Sequence, residues 1–176
     1  LVNSLESLKN CSIERKYKNA SSLLELIKDL SEFFKTYDKV PQITATLNDK
    51  DLIISKLKLQ LRDEFSLFLK GMSNQSNEVI EEACILIEII GVEFKEAIIK
   101  MIVDNIITPY REIFNKRDSR TLESIDKRFA WFSRNFNETK IKYGKIFPHY
   151  WGVLSYLVIE FCSESCISVS EILMNL

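Results

Sequence analysis

A single histidine, His149, follows Pro148 at a predicted helix start. Acid–base and nucleophilic catalysis draw on His, Cys or paired carboxylates held in one cleft, and a lone imidazole without a base or nucleophile at a matching spacing cannot make such a set. It reads as a polar residue of a first helical turn. Cys162 and Cys166 stand four apart and so share a helix face, where two thiolates could meet a metal ion. A structural zinc site needs four ligands. Completing this one would require Cys84 and His149 to arrive from elsewhere, so the cysteines read as small hydrophobic residues. Asp49 and Asp51, in NDKD, lack the central Gly and terminal Glu of a calcium loop. No Gly-rich run precedes a Lys-Ser/Thr pair, and the four glycines are too scattered for a dinucleotide turn. The chain is expected to be no enzyme and to hold neither cofactor nor metal.

One stretch stands out by charge. Between Lys116 and Lys145 lie nine basic residues (Lys116, Arg117, Arg120, Lys127, Arg128, Arg134, Lys140, Lys142 and Lys145) and four acidic ones. The predicted helix there also carries Trp131, which makes Lys127, Arg128, Trp131 and Arg134 a candidate interaction surface. Such a face suits an anionic membrane, an acidic partner helix or nucleic acid; it also suits a solvated helix side balanced by acidic neighbours in space. The whole chain has a net charge of −1, which gives no reason to expect nucleic acid as an obligatory partner.

These residues must be positioned by helices. Four Gly and three Pro in 176 residues are too few for a turn-rich sheet protein, and a 46% hydrophobic content can fill a core. An all-α fold of about seven helices is expected. Leu1, Leu5, Leu8 and Ser12 share one side of an opening helix, the charged stretch IERKYKN breaks it, and Ala20, Leu23, Leu24, Ile27, Leu30 and Phe34 keep helical periodicity in a second. A third helix runs from Pro41 to Leu69. The polar KGMSNQSNE follows as a flexible break, dividing residues 1–70, a hairpin plus a long helix, from a C-terminal bundle at 79–176, with 71–78 as linker. VIEEACILIEII is apolar nearly all round and ends at Gly91, a predicted C-cap. Its successor spans Val92 to Phe114, with Pro109 expected to kink or restart it. After the loop NKRDSR, Ile125, Phe129, Phe132 and Phe136 line a helix that stops at Gly144. Pro148 is placed in the first turn of a last helix, apolar through Trp151, Leu154, Val158 and Phe161.

Cys11, Cys84, Cys162 and Cys166 form no dense framework in a chain of this size, so reduced thiols are expected. Asn-x-Ser/Thr triplets at Asn10, Asn19, Asn74 and Asn137 gain meaning only after secretion, and no secretory leader pattern accompanies them. The longest uncharged run near the end, Pro148 to Ile159, is well short of the roughly 20 residues of a membrane-spanning helix. The initial Leu and the uncapped ending SVSEILMNL suggest a piece of a longer chain.

Three ordered strings, ESIDKRFAWFSRNF, KYGKIFPHYW and IEFC, carry a resemblance. The Ile-Asp-basic-Arg-aromatic-Ala-Trp run from Ile125 to Trp131, the Tyr-Gly-x-x-Phe-Pro-x-x-Trp run from Tyr143 to Trp151 and the Glu-Phe-Cys triplet from Glu160 to Cys162 resemble the large vacuolar-protein-sorting subunit shared by the Golgi-associated retrograde protein complex, GARP, and its endosomal recycling relative. Upstream, EACILIEII with FKEAIIKMIV is similar to that family's buried helix pair, and RKYKNASSLLELI with YDKVPQI to its preceding hairpin.

The resemblance implies elongated helical bundles of the tethering-complex rod type, without an active site. It implies a structural subunit of a multisubunit tethering complex in endosome-to-trans-Golgi retrograde transport, peripheral on the cytosolic face of the trans-Golgi network and endosomes. Expected partners are sibling tethering-complex subunits, small GTPases and membrane-fusion (SNARE) proteins, met through apolar helix stripes. The alternative from the residues themselves is a membrane-surface or nucleic-acid adaptor working through the basic helix at 116–145.

Overall fold

The computed structural model describes residues 1–37, 39–114 and 121–174. Among them there are seven α-helices and no strand, as composition led us to expect: α1 Val2–Ile13, α2 Tyr17–Phe34, α3 Pro41–Leu69, α4 Asn77–Ile90, α5 Val92–Phe114, α6 Ile125–Tyr143 and α7 Val153–Met174. The chain forms two compact units, Leu1–Ile98 and Ile99–Leu176.

In the first unit, Tyr17, Ala20, Leu24 and Ile27 on one side of α2 are fully buried, and α2 packs against both α1 and α4. Ser21 and Ser31 lie on the same side and donate to the carbonyls of Tyr17 and Ile27, at 2.8 and 2.5 Å. Hydroxyls satisfied by their own helix let neighbouring backbones approach without leaving a polar atom stranded. Burial of Ile80, Ala83, Cys84 and Ile87 places α4 in this same core. The polar stretch 71–78 lies between α3 and α4 within this unit, and the boundary between the two units falls within α5.

Pro41 occupies the first turn of α3, where its missing N–H and fixed φ cost nothing. Twenty-nine residues make this helix about 43 Å long. Only its second half is deeply embedded, at Leu57, Leu61, Glu64, Phe65 and Leu69. α4 ends as expected at Gly91, whose φ of 144° and ψ of 165° lie where essentially only glycine is found. Space is not the constraint, because a Cβ built there meets nothing within 4 Å. Gly91→Ala is therefore expected to lower stability by about 2 kcal/mol through backbone strain alone, measurable as a drop in urea midpoint at unchanged m-value.

Pro109 does not break α5, which runs unbroken to Phe114. Pro109 is exposed and Asn105, whose carbonyl loses its usual donor, is only half-buried, so water can replace the missing bond. The loop NKRDSR, at 115–120, lies outside the described residues, and with it Lys116, Arg117 and Arg120.

Pro148 precedes a short 3-10 turn, His149–Trp151, and does not start the last helix. Gly152, left-handed at φ 64° and ψ 25°, separates that turn from α7. α7 buries Val153, Leu157, Phe161, Ser165, Ser168 and Ile172, a register different from the expected Trp151, Leu154, Val158 and Phe161. Trp151 and Phe161 are buried, whereas Val158 is exposed.

Candidate interaction surface

The four residues singled out by charge and aromaticity do not share one surface. Lys127, Trp131 and Arg134 follow one another at four- and three-residue steps along α6 and, with Phe114 and Ala130, line a shallow hollow of about 310 Å³. Lys127 and Arg134 are exposed; Trp131 is half-buried, its ring 5.4 Å from that of Tyr110.

Arg128 is different. It is 1% exposed and points into the second unit, where its Nη1 donates to Tyr110 Oη at 2.8 Å, its Nη2 to the Phe114 carbonyl at 3.1 Å and to Ser168 Oγ at 2.9 Å, and its Nε to Ser124 Oγ at 3.2 Å. The guanidinium plane sits over the Phe114 ring at 5.0 Å and near Tyr110 at 5.8 Å. A planar fork of donors can serve several oxygens in fixed directions while its faces meet aromatic rings. Arg128 thus leaves the candidate surface and becomes the link between α5, α6 and α7. It also displaces the aromatic face expected for α6: Phe129 is 58% exposed, while Phe132 stacks on Phe161 with ring centroids 4.0 Å apart.

A second arginine ties two of these helices, α5 and α7, nearer the surface. Arg111, in α5, donates to Asp104 at 3.1 Å on its own helix and to Glu164 at 2.7 Å and Glu160 at 2.5 Å on α7. Sequence reading missed this clasp. Glu160 and Glu164 stand one turn apart on one side of α7, a spacing that lets one cation face both.

The first unit has a polar network of its own at the α1–α2 turn. Arg15 takes the left-handed conformation, φ 56°, and its Nε donates to Glu64 Oε1 of α3 at 2.6 Å. The Tyr17 hydroxyl donates to the other Glu64 oxygen. Gln60 accepts from Ser12 Oγ at 2.6 Å and donates to the Ser12 carbonyl at 2.8 Å and to Tyr17 Oη at 3.1 Å. Burial, followed by the neighbouring Glu64 carboxylate, pushes the Tyr17 phenol well above its ordinary value. A hairpin of charged residues is thereby locked to the buried part of α3.

His149 is exposed and its ring meets that of Tyr150 edge-on, 5.5 Å away. Cys162 and Cys166 are exposed on α7, Cys11 is half-buried and Cys84 is buried in the first unit. No group of three or more His, Cys, Asp or Glu that could hold a metal occurs among the described residues. Burial, reinforced by Glu81 and Glu88, pushes the Cys84 thiol up to about 12. Since the thiolate is the nucleophile, a maleimide at pH 7.5 is expected to label Cys162 and Cys166 rapidly and Cys84 only after denaturation, as peptide mass spectrometry would show. Rapid labelling of Cys84 would contradict its placement in the core.

No helix of the described residues is long and apolar enough to cross a membrane. The family model described as Vps53, N-terminal, matches residues 1–176. The chain is similar to vacuolar protein sorting-associated protein 53 A of Arabidopsis thaliana, at 27% identity over 179 residues, covering 100% of the chain and 22% of that protein. It is also similar to vacuolar protein sorting-associated protein 53 B of the same plant, at 26% identity over 168 residues, covering 93% of the chain and 29% of that protein. The chain thus spans less than a third of either relative. No solved structure matches it.

Proposed function

The chain belongs to the Vps53 family, matching its N-terminal model from end to end, and on that premise we propose that it is a non-catalytic helical module of a multisubunit vesicle-tethering complex acting between endosomes and the trans-Golgi network, as in GARP. The match over the whole chain carries this reading. Sibling subunits of the tether are its direct partners; small GTPases and SNARE proteins are reached through the assembly, which sits peripherally on the cytosolic face of those membranes. The exposed apolar side chains of α1 and α3, among them Val2, Ile13, Leu52 and Leu59, support helix-to-helix docking.

The adaptor reading through the basic helix draws less support, because its central arginine, Arg128, is withdrawn from solvent. Salt tells the two readings apart. At about 1 M salt the screening length falls to roughly 3 Å, so attachment by surface charge is lost while packed apolar helices hold. Tagged full-length protein is expected to co-purify its sibling subunits at both low and high salt. Recovery of anionic liposomes or RNA at low salt only, with no sibling subunit at either, would overturn the tethering assignment.

A further inference from the structure

The first unit carries an apolar groove that its own helices do not fill. α1 and α3 run parallel, since Leu1 and Val2 lie beside Gln42, Ile43 and Thr46 and Ser12 bonds to Gln60. Between them is an open groove of about 510 Å³ whose apolar lining is Val2, Leu5, Ile13, Leu52, Ile53 and Leu57. Leu5 and Leu57 form a buried floor, whereas Val2, Ile13 and Leu52 are more than half exposed, at 63%, 66% and 55%. From Val2 to Ile13 the wall rises about 16 Å, three helical turns. Sparse apolar residues scattered singly need no explanation, but six converging on one trough do.

Four charges also line the groove: Glu6 and Lys9 from α1, Asp49 and Lys56 from α3. All four are exposed. Among the described residues none of them forms an ion pair, although Arg15 and Glu64 at the far end of the same two helices do. Their order is the same on both walls: the acid lies towards the Val2 end and the base towards the Ser12 end. A matching ligand must place a cation first and an anion about one to two turns further along this direction.

We propose that this groove binds one amphipathic helix from another polypeptide, lying antiparallel to α1 and α3, with an acidic residue about one turn before a basic residue beside its apolar stripe. The groove charges suit an antiparallel helix with acid before base or a parallel one with base before acid, and the pairing within the ligand helix and its dipole select the first. In that orientation the ligand's acid meets Lys9 and Lys56 and its later base meets Glu6 and Asp49. The acid-before-base order at i,i+4 also supports the ligand helix itself, and its dipole opposes those of both walls. Apolar burial supplies the affinity, and the two rows of charge set direction and register.

The proposal rests on the tethering reading for the source of the helix, and the experiment separates the two. A photo-crosslinking amino acid is placed at Leu52 of the full-length protein in its assembled state, and the crosslinked segment is sequenced by mass spectrometry. The expected product joins Leu52 to a helix of another polypeptide with the stated acid-before-base order. Its yield should fall at least tenfold in Lys9→Glu/Lys56→Glu and return when the acid of the captured helix is changed to lysine. Circular dichroism on the charge variant checks that these surface changes leave the fold intact. No crosslink, a crosslink only to a second copy, or a yield indifferent to charge reversal would overturn the groove assignment. Sibling subunits that still co-purify in those cases would leave the tethering reading standing, whereas their absence from the wild type would sink that reading itself.

Discussion

Arg128→Ala is expected to lower the stability of the second unit by about 3–5 kcal/mol, the largest single loss anticipated for this chain. Three costs combine. The Phe114 carbonyl and Ser168 hydroxyl lose a charged donor, the two rings beneath the guanidinium lose their facing plane, and a cavity opens at a position only 1% exposed. Tyr110 suffers less, because Ser165 Oγ remains 2.7 Å from its hydroxyl. Both tryptophans, Trp131 and Trp151, lie in the second unit, so denaturation followed by tryptophan fluorescence reads that unit directly.

Two companion variants divide these costs. Arg128→Met keeps an unbranched apolar stem and most of the volume, so a loss markedly smaller than for alanine would assign the effect to packing. Arg128→Lys keeps the charge but not the planar fork, and one ammonium cannot reach Ser124, Tyr110, Phe114 and Ser168 together. Lysine is expected to recover less than half of the alanine loss. A fluorescence midpoint unchanged in all three variants would show that Arg128 is not held in the core.

How far the sequence could be read follows from these residues. Helix boundaries were legible wherever local chemistry decides them: Pro41 opening α3 and Gly91 closing α4 act through their own backbone, and Gly144 follows α6 as expected, in the right-handed conformation. Facing was legible where apolar and polar residues alternate strongly, as along α2. It was not legible along α7, whose apolar residues and serines are spread round the helix and whose buried side includes Ser165 and Ser168. There the buried register is chosen by what α5 and α6 present: Phe161 against Tyr110 and Phe132, and Ser168 beneath Arg128. Arg128 itself read as surface because arginine usually is. Oxygen acceptors drawn from α5, α7 and the turn before α6 make its burial tolerable, and no local pattern announces a set assembled from positions 110, 114, 124 and 168. The groove between α1 and α3 escaped notice for the same reason. Its charges look like ordinary solvated helix faces until two parallel walls bring them into the same order.

Removing the Glu64 carboxylate is the second large perturbation, and its size is expected to come from Tyr17 more than from Arg15. Arg15 is half exposed on its side chain, so water screens and replaces much of that ion pair. The Tyr17 ring is fully buried, and its hydroxyl has no comparable access to solvent. Glu64→Ala should cost about 2–3 kcal/mol, and Tyr17→Phe about 1–2 kcal/mol because it leaves a buried carboxylate short of a donor. In a double-mutant cycle the pair should show a coupling of at least about 1 kcal/mol, whereas Arg15→Ala with Glu64→Ala should show less. Maleimide labelling of Cys84 gives a local readout, since loosening the first unit must raise the rate at which that buried thiol appears. The pH dependence has a fixed sign. The Tyr17 phenol titrates higher in the folded chain than unfolded, so its contribution is complete below the ordinary tyrosine value of about 10 and is lost as pH rises through the folded one. Stability of the first unit should therefore fall in strong alkali, and Tyr17→Phe should flatten that fall; an identical alkaline slope in wild type and variant would place the phenol outside the network.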